Sequence, residues 1–308
     1  DLTSLSILTI HGIKKYMLFK YCPISEYSIK SLVENKIYLN HLNMMNDSAE
    51  GFCKVISGFP DYNDKNERYD LILKTWCGES GWLPSEDEYN EYIGSMREIE
   101  PRVPELLDSA RISCFTNTAL NPTMWAHYAR NRTGICIEFD EDKIKELEDA
   151  YVFDVKYLDR PPTVDTAVLT LIADQVEYND NSLFKGYTDG YESLYEQAFE
   201  QGRSVLWDIF NGILATKSQE WSYEQEKRLI YLLSFPKEEQ LAKTDKSGIN
   251  SPLPEGCIKS VILGERTTVH DKNLIVSAIK KYEGSIKLKR AVITPGDYLL
   301  SIHDEDFD

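Results

Sequence analysis

The sequence predicts an α+β fold, a mixed β core carrying helical insertions, from three observations. Short runs rich in β-branched and aromatic residues recur at unequal spacing, at 16–21, 36–42, 111–116, 135–139 and 258–263. Two long stretches, about 52–107 and 163–215, carry helical periodicity instead. Strands of unequal length and irregular spacing do not suit a doubly wound parallel sheet. With 308 residues the chain can bury a real core, and it reads as a single domain over 1–308 with the two helical stretches inserted.

In order, a strand over 16–21, a helix over 29–34 and a second strand over 36–42 give a β-α-β opening. Asp47 is the expected N-cap of a short helix with Glu50 at its third position, a capping box. A strand over 111–116 follows the first insertion. Asn121-Pro122 then supplies an N-cap and a proline at the first helical position, opening a helix to about Arg130. Gly134 opens the strand 135–139. The second insertion is read as helical over about 163–216, interrupted near Gly186 and Gly190, and a strand is expected from Tyr223 through the apolar run LIYLL. The chain closes with a strand over 258–263, a helix over 271–282 and strands within 286–303.

The formal charge is -17, and residues 46–108 hold 15 acidic residues against 6 basic. A surface of that sign repels phosphate backbones, so no broad nucleic-acid surface is expected. The Lys- and Arg-enriched stretch 259–290 reads as a solvated helix face. The six cysteines show no C-x-x-C and no disulfide-rich segment, so reduced thiols and a cytoplasmic setting are expected. No run approaches 18 apolar residues and no signal segment is seen, so no membrane partner is expected. The five histidines have no partner at metal-binding spacing, and no metal is expected. Nucleotide loops of the G-x-G-x-x-G and G-x-x-x-x-G-K-[ST] types are missing, as is a G-x-S-x-G elbow.

Two segments carry candidate chemistry. In NPTMWAHYARNR, 121–132, helical spacing puts Met124, Trp125 and Tyr128 on neighbouring positions and turns His127 aside. That aromatic face either packs a core or stacks on a flat heterocycle. In WSYEQEKRLI, 221–230, strand alternation puts Glu224, Glu226 and Arg228 on one face. The face is either a solvated ion pair or a catalytic carboxylate held by an arginine, able to stabilise positive charge developing at a sugar carbon. FKY at 19–21 adds Lys20 and Tyr21 on the first strand, on opposite faces.

Taken in order, FKY at 19–21, IYL at 37–39, NDSAE at 46–50, ISCFT at 112–116, MWAHYA at 124–129, GICIEF at 134–139, Lys217, WSYEQEKRLI at 221–230 and IKSVILG at 258–264 resemble the bacterial family of domain of unknown function 2971. The same order is similar, more distantly, to ADP-ribosyltransferases. That second resemblance implies split sheets and NAD as substrate, with ADP-ribose passed to a macromolecular acceptor or to water, as in a toxin or phage-defence effector. Tyr21 or Lys20 would hold the ribose, Tyr128 would stack on nicotinamide, and Glu226 or Glu224 would drive the chemistry. His127, Trp125 and Arg228 would stand beside the nucleotide, and Tyr21, Tyr128 and Glu226 would converge. FKY supplies neither the His nor the Arg usual on that family's first strand. Two other readings compete: a non-enzymatic module that binds a nucleotide or a protein, and a magnesium nuclease using Asp47, Glu50, Glu224 and Glu226.

Overall fold

A computed structural model describes residues 16–78, 82–148, 150–184, 192–233, 246–282, 284–294, 296–297 and 299–307. It has the α+β character expected, with helices beside a mixed sheet. The chain divides into two compact units, each assembled from separate stretches. The first comprises 1–37, 115–150 and 251–308, the second 38–114 and 151–250.

The first unit is built on a five-strand run in the spatial order Met17–Cys22, Ile135–Asp140, Ile258–Leu263, Lys287–Ile293, Leu300–Asp304. All neighbours are antiparallel except Ile258–Leu263 and Lys287–Ile293, which run parallel and are joined through the helix Val269–Lys281. A parallel pair needs such a crossover, which also covers the sheet with Ile275, Val276 and Ile279. The strands Ile135–Asp140 and Ile258–Leu263 are buried at all but one position each, the near-continuous pattern of strands covered on both faces.

Asn121 caps the helix Pro122–His127 as expected, its Oδ1 accepting from the Thr123 and Met124 amides at 2.9 and 3.3 Å. The helix stops three residues short of the expected Arg130, because Arg130, Asn131 and Arg132 all turn left-handed, with φ of 46°, 55° and 67°. Main-chain bonds over-determine this turn: Asn131 donates to Ala126, Arg132 to Trp125 and Gly134 to Ala129. Gly134 is there because the backbone leaves no room, since a Cβ would lie 2.5 Å from the Cys22 carbonyl oxygen.

The second unit holds both stretches expected as insertions, and they form cores of their own. Glu67–Cys77, Glu86–Ile99 and Thr166–Phe184 enclose Tyr69, Ile72, Tyr89, Ile93, Met96, Ala167 and Leu171. A second cluster joins Leu42, Val103, Ile112, Phe153, Val164, Leu214 and Ile230. The 163–216 stretch is not helical throughout, since Thr163–Asp165 is a strand pairing in parallel with Lys54–Ile56. Helices then span Thr166–Phe184 and Glu192–Leu214, and the expected break near Gly186 and Gly190 lies outside the described residues.

Two local expectations are corrected here. Asp47 caps no helix: its Oδ1 accepts from the Ala49 amide at 2.9 Å within a turn, which leaves Glu50 to make contacts elsewhere. No strand begins at Tyr223 either. Residues Gln219–Glu224 wind into a 3₁₀ turn, Gln225 takes a left-handed conformation at φ 45° and ψ 50°, and the strand starts at Glu226. Alternation from 223 fails because residues up to Glu224 are coiled and Gln225 is left-handed, so only from Glu226 do successive side chains alternate between faces.

Among the described residues no helix is long and apolar enough to cross a membrane. All six cysteines are free thiols.

Two glycine replacements separate crowding from conformational freedom. Gly134→Ala should lower unfolding free energy by about 2 kcal/mol or more, through overpacking against backbone. Gly212→Ala, whose Cβ would meet nothing within 4 Å in the helix Glu192–Leu214, should raise it by roughly 0.5–1 kcal/mol. Urea unfolding of both variants measures the pair, and equal effects would contradict this account of the turn.

Candidate functional site

In the second unit, five ionisable side chains are buried together: Glu50, Lys217, Glu224, Glu226 and Arg228. Local structure sets each one. Lys217 lies at the centre of the short strand Thr216–Ser218, in parallel register with Tyr157. Glu224 ends the 3₁₀ turn and Glu226 opens the next strand, with the left-handed Gln225 between them. The Glu226 amide donates to the Tyr157 hydroxyl at 2.7 Å and its carbonyl accepts from the Val155 amide at 3.0 Å, so the backbone of this residue is fixed on both sides.

Arg228 is fully buried and takes three kinds of partner. Its Nε donates to Glu226 Oε1 at 2.8 Å, its Nη1 to the Leu214 carbonyl at 2.7 Å, and its Nη2 to Glu50 Oε1 at 2.9 Å. The same Nη2 stands 3.3 Å from Glu226 Oε2, so two carboxylates meet on one guanidinium nitrogen. Lys217 Nζ donates to Glu224 Oε2 at 2.7 Å and to Glu226 Oε2 at 3.3 Å, and lies 3.5 Å from Glu50 Oε1. Its ammonium also sits 4.5 Å from the centre of the Trp221 ring. The Cys114 thiol is hydrogen-bonded to Glu226.

Electrostatics separates the carboxylates. Burial pushes Glu226 up, but Arg228 first and Lys217 second outweigh it and hold the carboxyl at about 2. For Glu50 burial wins over the same two cations, and its carboxyl titrates above the ordinary range. Burial also raises the Tyr157 hydroxyl to about 12, so it stays neutral. Despite its own desolvation Lys217 is held protonated, chiefly by Glu226 and then Glu224. The cluster therefore offers one fixed anion, one carboxyl that exchanges a proton more readily, and two fixed cations.

Among the described residues no group of three or more His, Cys, Asp and Glu side chains is arranged to hold a metal ion. Within the cluster the reason is visible: Lys217 and Arg228 occupy the space between the carboxylates.

Other expected site residues belong to the first unit. Tyr21 is nearly buried, its hydroxyl donates to the Thr118 carbonyl at 3.0 Å, and its ring meets Trp125 edge-on at 5.1 Å. Trp125 has no exposed surface and its indole N–H donates to the Ala119 carbonyl at 2.8 Å, so both aromatics serve core packing. Lys20 places its ammonium 5.5 Å from the Phe115 ring centre. Tyr128 is half-buried at the end of its helix, with His127 exposed beside it at 6.4 Å between ring centres.

Glu224, Glu226 and Arg228 thus come together as expected, but as a buried cluster rather than an exposed strand face. Glu50 and Lys217 complete it. The sequence reading places Glu50 in a cap or, in the nuclease reading, among metal-binding carboxylates, and gives Lys217 no role beyond its place in the family pattern. Both lie in motifs that carry that resemblance, which is the signal that singles them out.

Residues 124–229 match the family described as Protein of unknown function (DUF2971). The DUF2971 match takes in His127, Tyr128, Lys217, Glu224, Glu226 and Arg228, while Glu50 lies outside it. Neither a curated protein nor a solved structure matches the chain.

The cluster makes a pH-dependent contribution to stability with a definite sign. A carboxyl at about 2 in the folded state and near 4.5 when unfolded stabilises fully above pH 4.5 and loses that contribution as pH falls toward 2. The loss should be about 3 kcal/mol. Glu226→Gln should remove this acid limb and destabilise the protein at pH 7, where Lys217 and Arg228 lose a partner, and Arg228→Met should cost about 3–5 kcal/mol. Urea midpoints from pH 2 to 7 test this. A Glu226→Gln variant with the wild-type pH profile would refute it.

Proposed function

We propose that the chain is an ADP-ribosyltransferase-like enzyme that uses NAD as substrate, passing ADP-ribose to an acceptor group or to water, with Glu226 and Glu50 dividing the chemistry. The observation that carries this reading is the pair of buried carboxylates on one guanidinium nitrogen, whose ionisation is pushed in opposite directions. Titratable pairs driven apart in this way are how a site obtains a fixed charge and a proton acceptor at one pH. The resemblance in motif order supports the choice of substrate.

In this reading the bond between the ribose C1′ and the nicotinamide nitrogen breaks, and its electron pair leaves with neutral nicotinamide. The sugar carbon becomes oxocarbenium-like, and Glu226, ionised across the physiological range, stabilises that charge. The acceptor oxygen then forms its bond to C1′ while its proton passes to the Glu50 carboxylate, the weaker acid of the pair having the greater affinity for it. Arg228 and Lys217 orient the two carboxylates, and Lys217 also secures Glu224. Three carboxylates against two cations favour a positively charged ring system such as the nicotinamide of NAD.

A second reading has an observation of its own. Glu224 and Glu226 are only 3% and 4% exposed, and both Glu226 oxygens already accept from Arg228 or Lys217. If nothing displaces these bonds, the cluster is a structural latch and the chain a non-enzymatic binding module.

Nicotinamide release from NAD by the purified chain separates the two. The enzyme reading expects turnover that falls about 100- to 1000-fold in Glu226→Gln. Glu50→Gln should also lower it, while flattening its pH dependence below neutrality. Glu226→Asp, which keeps the charge, covers the case in which the glutamine variant fails to fold. Absence of turnover and of NAD binding in the wild-type chain would leave the latch reading in its place.

A further inference from the structure

Away from the carboxylate cluster, the second unit contains a set of tyrosines with a cation lodged on it. Tyr62, Tyr69 and Tyr89 are mutual neighbours, with ring centres 6.1, 5.6 and 5.4 Å apart. Tyr62 and Tyr69 stand nearly perpendicular, at 82°, and so form two walls of a corner. The Lys65 ammonium lies in that corner, 3.6 Å from the Tyr62 ring centre and 4.0 Å from that of Tyr69, and donates to the Tyr69 hydroxyl at 2.6 Å.

Two of the rings, Tyr69 and Tyr89, are held in the core independently of Lys65. Tyr89 has no exposed surface and its hydroxyl donates to the Pro60 carbonyl at 2.9 Å. Tyr69 is on the helix Glu67–Cys77, 3% exposed, within a core that includes Ile72, Ile93 and Leu171. The helix itself is fixed by Asn66, whose Oδ1 accepts from the Arg68 and Tyr69 amides. Lys65 precedes this cap in an exposed turn that also carries Tyr62, so one wall belongs to the core and the other packs against it, partly buried, from the same turn as the cation.

We propose that Tyr62 and Tyr69, backed by the buried Tyr89, form an aromatic cage for a quaternary ammonium head group, and that Lys65 fills this cage in cis. Ring faces are electronegative, and a cation between two of them is stabilised without any formal counter-charge. A primary ammonium is only partly satisfied in such a corner, because it is strongly hydrated and carries three donors, whereas the two tyrosines offer it one oxygen acceptor, the Tyr69 hydroxyl. A methylated ammonium has no donors to satisfy, spreads its charge over methyl groups and fits flat walls. Lys65 also loses the freedom of a long side chain to stay in place, which makes it displaceable. Asp61, Asp64, Glu67 and Asp70 lie within or close to the turn along the chain, and together with the acidic balance of the chain they draw cations toward it.

The test is titration with tetramethylammonium chloride, followed by the tyrosine ring signals in wild type and in Lys65→Ala, with tert-butanol as a neutral probe of similar shape. The cage predicts that Lys65→Ala binds tetramethylammonium about 10-fold more tightly than wild type, since removing an internal competitor restores the intrinsic affinity. It predicts no comparable response to tert-butanol, and loss of binding in Lys65→Ala/Tyr62→Leu. Phosphatidylcholine vesicles retained by Lys65→Ala would assign the head group to a lipid, and tetramethylammonium binding without vesicle binding would assign it to a free compound. Equal affinity in wild type and Lys65→Ala, or equal response to the charged and neutral probes, would overturn the proposal. The comparison of charged with neutral probe needs only the single variant, so it decides the matter if the double variant does not fold.

Discussion

The guanidinium of Arg228 is the contact on which the second unit's charged centre depends. It holds the carboxylate of Glu226, two residues away on its own strand, and that of Glu50, 178 residues away in sequence, and it satisfies the carbonyl at the end of the helix Glu192–Leu214. A planar fork of fixed donors meets these three acceptors from three separate nitrogens, whereas a lysine would have to meet them all from one. Arg228 therefore ties a turn, a helix end and a strand into one arrangement, and Lys217 adds a second tie to the same carboxylates.

Burying five ionisable groups is costly, because a charged group loses its hydration and the Coulombic return seldom exceeds the loss. Apolar residues of similar volume would serve stability as well or better, so the cluster is a poor way to make a core merely stable. Its effect is to fix one geometry and to push the ionisation of neighbouring carboxyls apart. The left-handed Gln225 belongs to the same arrangement: a non-glycine residue in that region costs about 1 kcal/mol, and it sets Glu224 and Glu226 on either side of one lysine. Strain and buried charge found at the same three residues are a physical reason to look there for chemistry.

Much of the first unit was legible before folding. β-branched runs marked its strands, and Asn121-Pro122 marked a helix start that the structure reproduces through the Asn121 side chain. Those signals are local: a cap, a period of two, a proline at the first helical position. For Trp125 and Tyr21 the sequence leaves core packing and nucleotide contact open, because an aromatic residue beside a polar one reads the same whether its polar tip meets a ligand or a backbone carbonyl. Only the positions of the Ala119 and Thr118 carbonyls distinguish the two. The left-handed turns at 130–132 and at 225 also escaped notice, since no glycine announces them and main-chain bonds impose them.

The sequence alone determined the α+β character, the helical nature of much of 52–107 and 163–215, and the grouping of Glu224, Glu226 and Arg228 within a few residues, because periodicity and spacing are properties of the chain itself. Tertiary structure decided what those residues face. Glu50 became the partner of Arg228 only when its turn met the strand from 226, and Lys217 became the cation between three carboxylates only when its short strand paired with Lys156–Leu158. Charge and residue type are written along the chain, but desolvation and the identity of the nearest opposite charge depend on contacts between distant segments. Those two terms are what hold Glu226 ionised and raise Glu50.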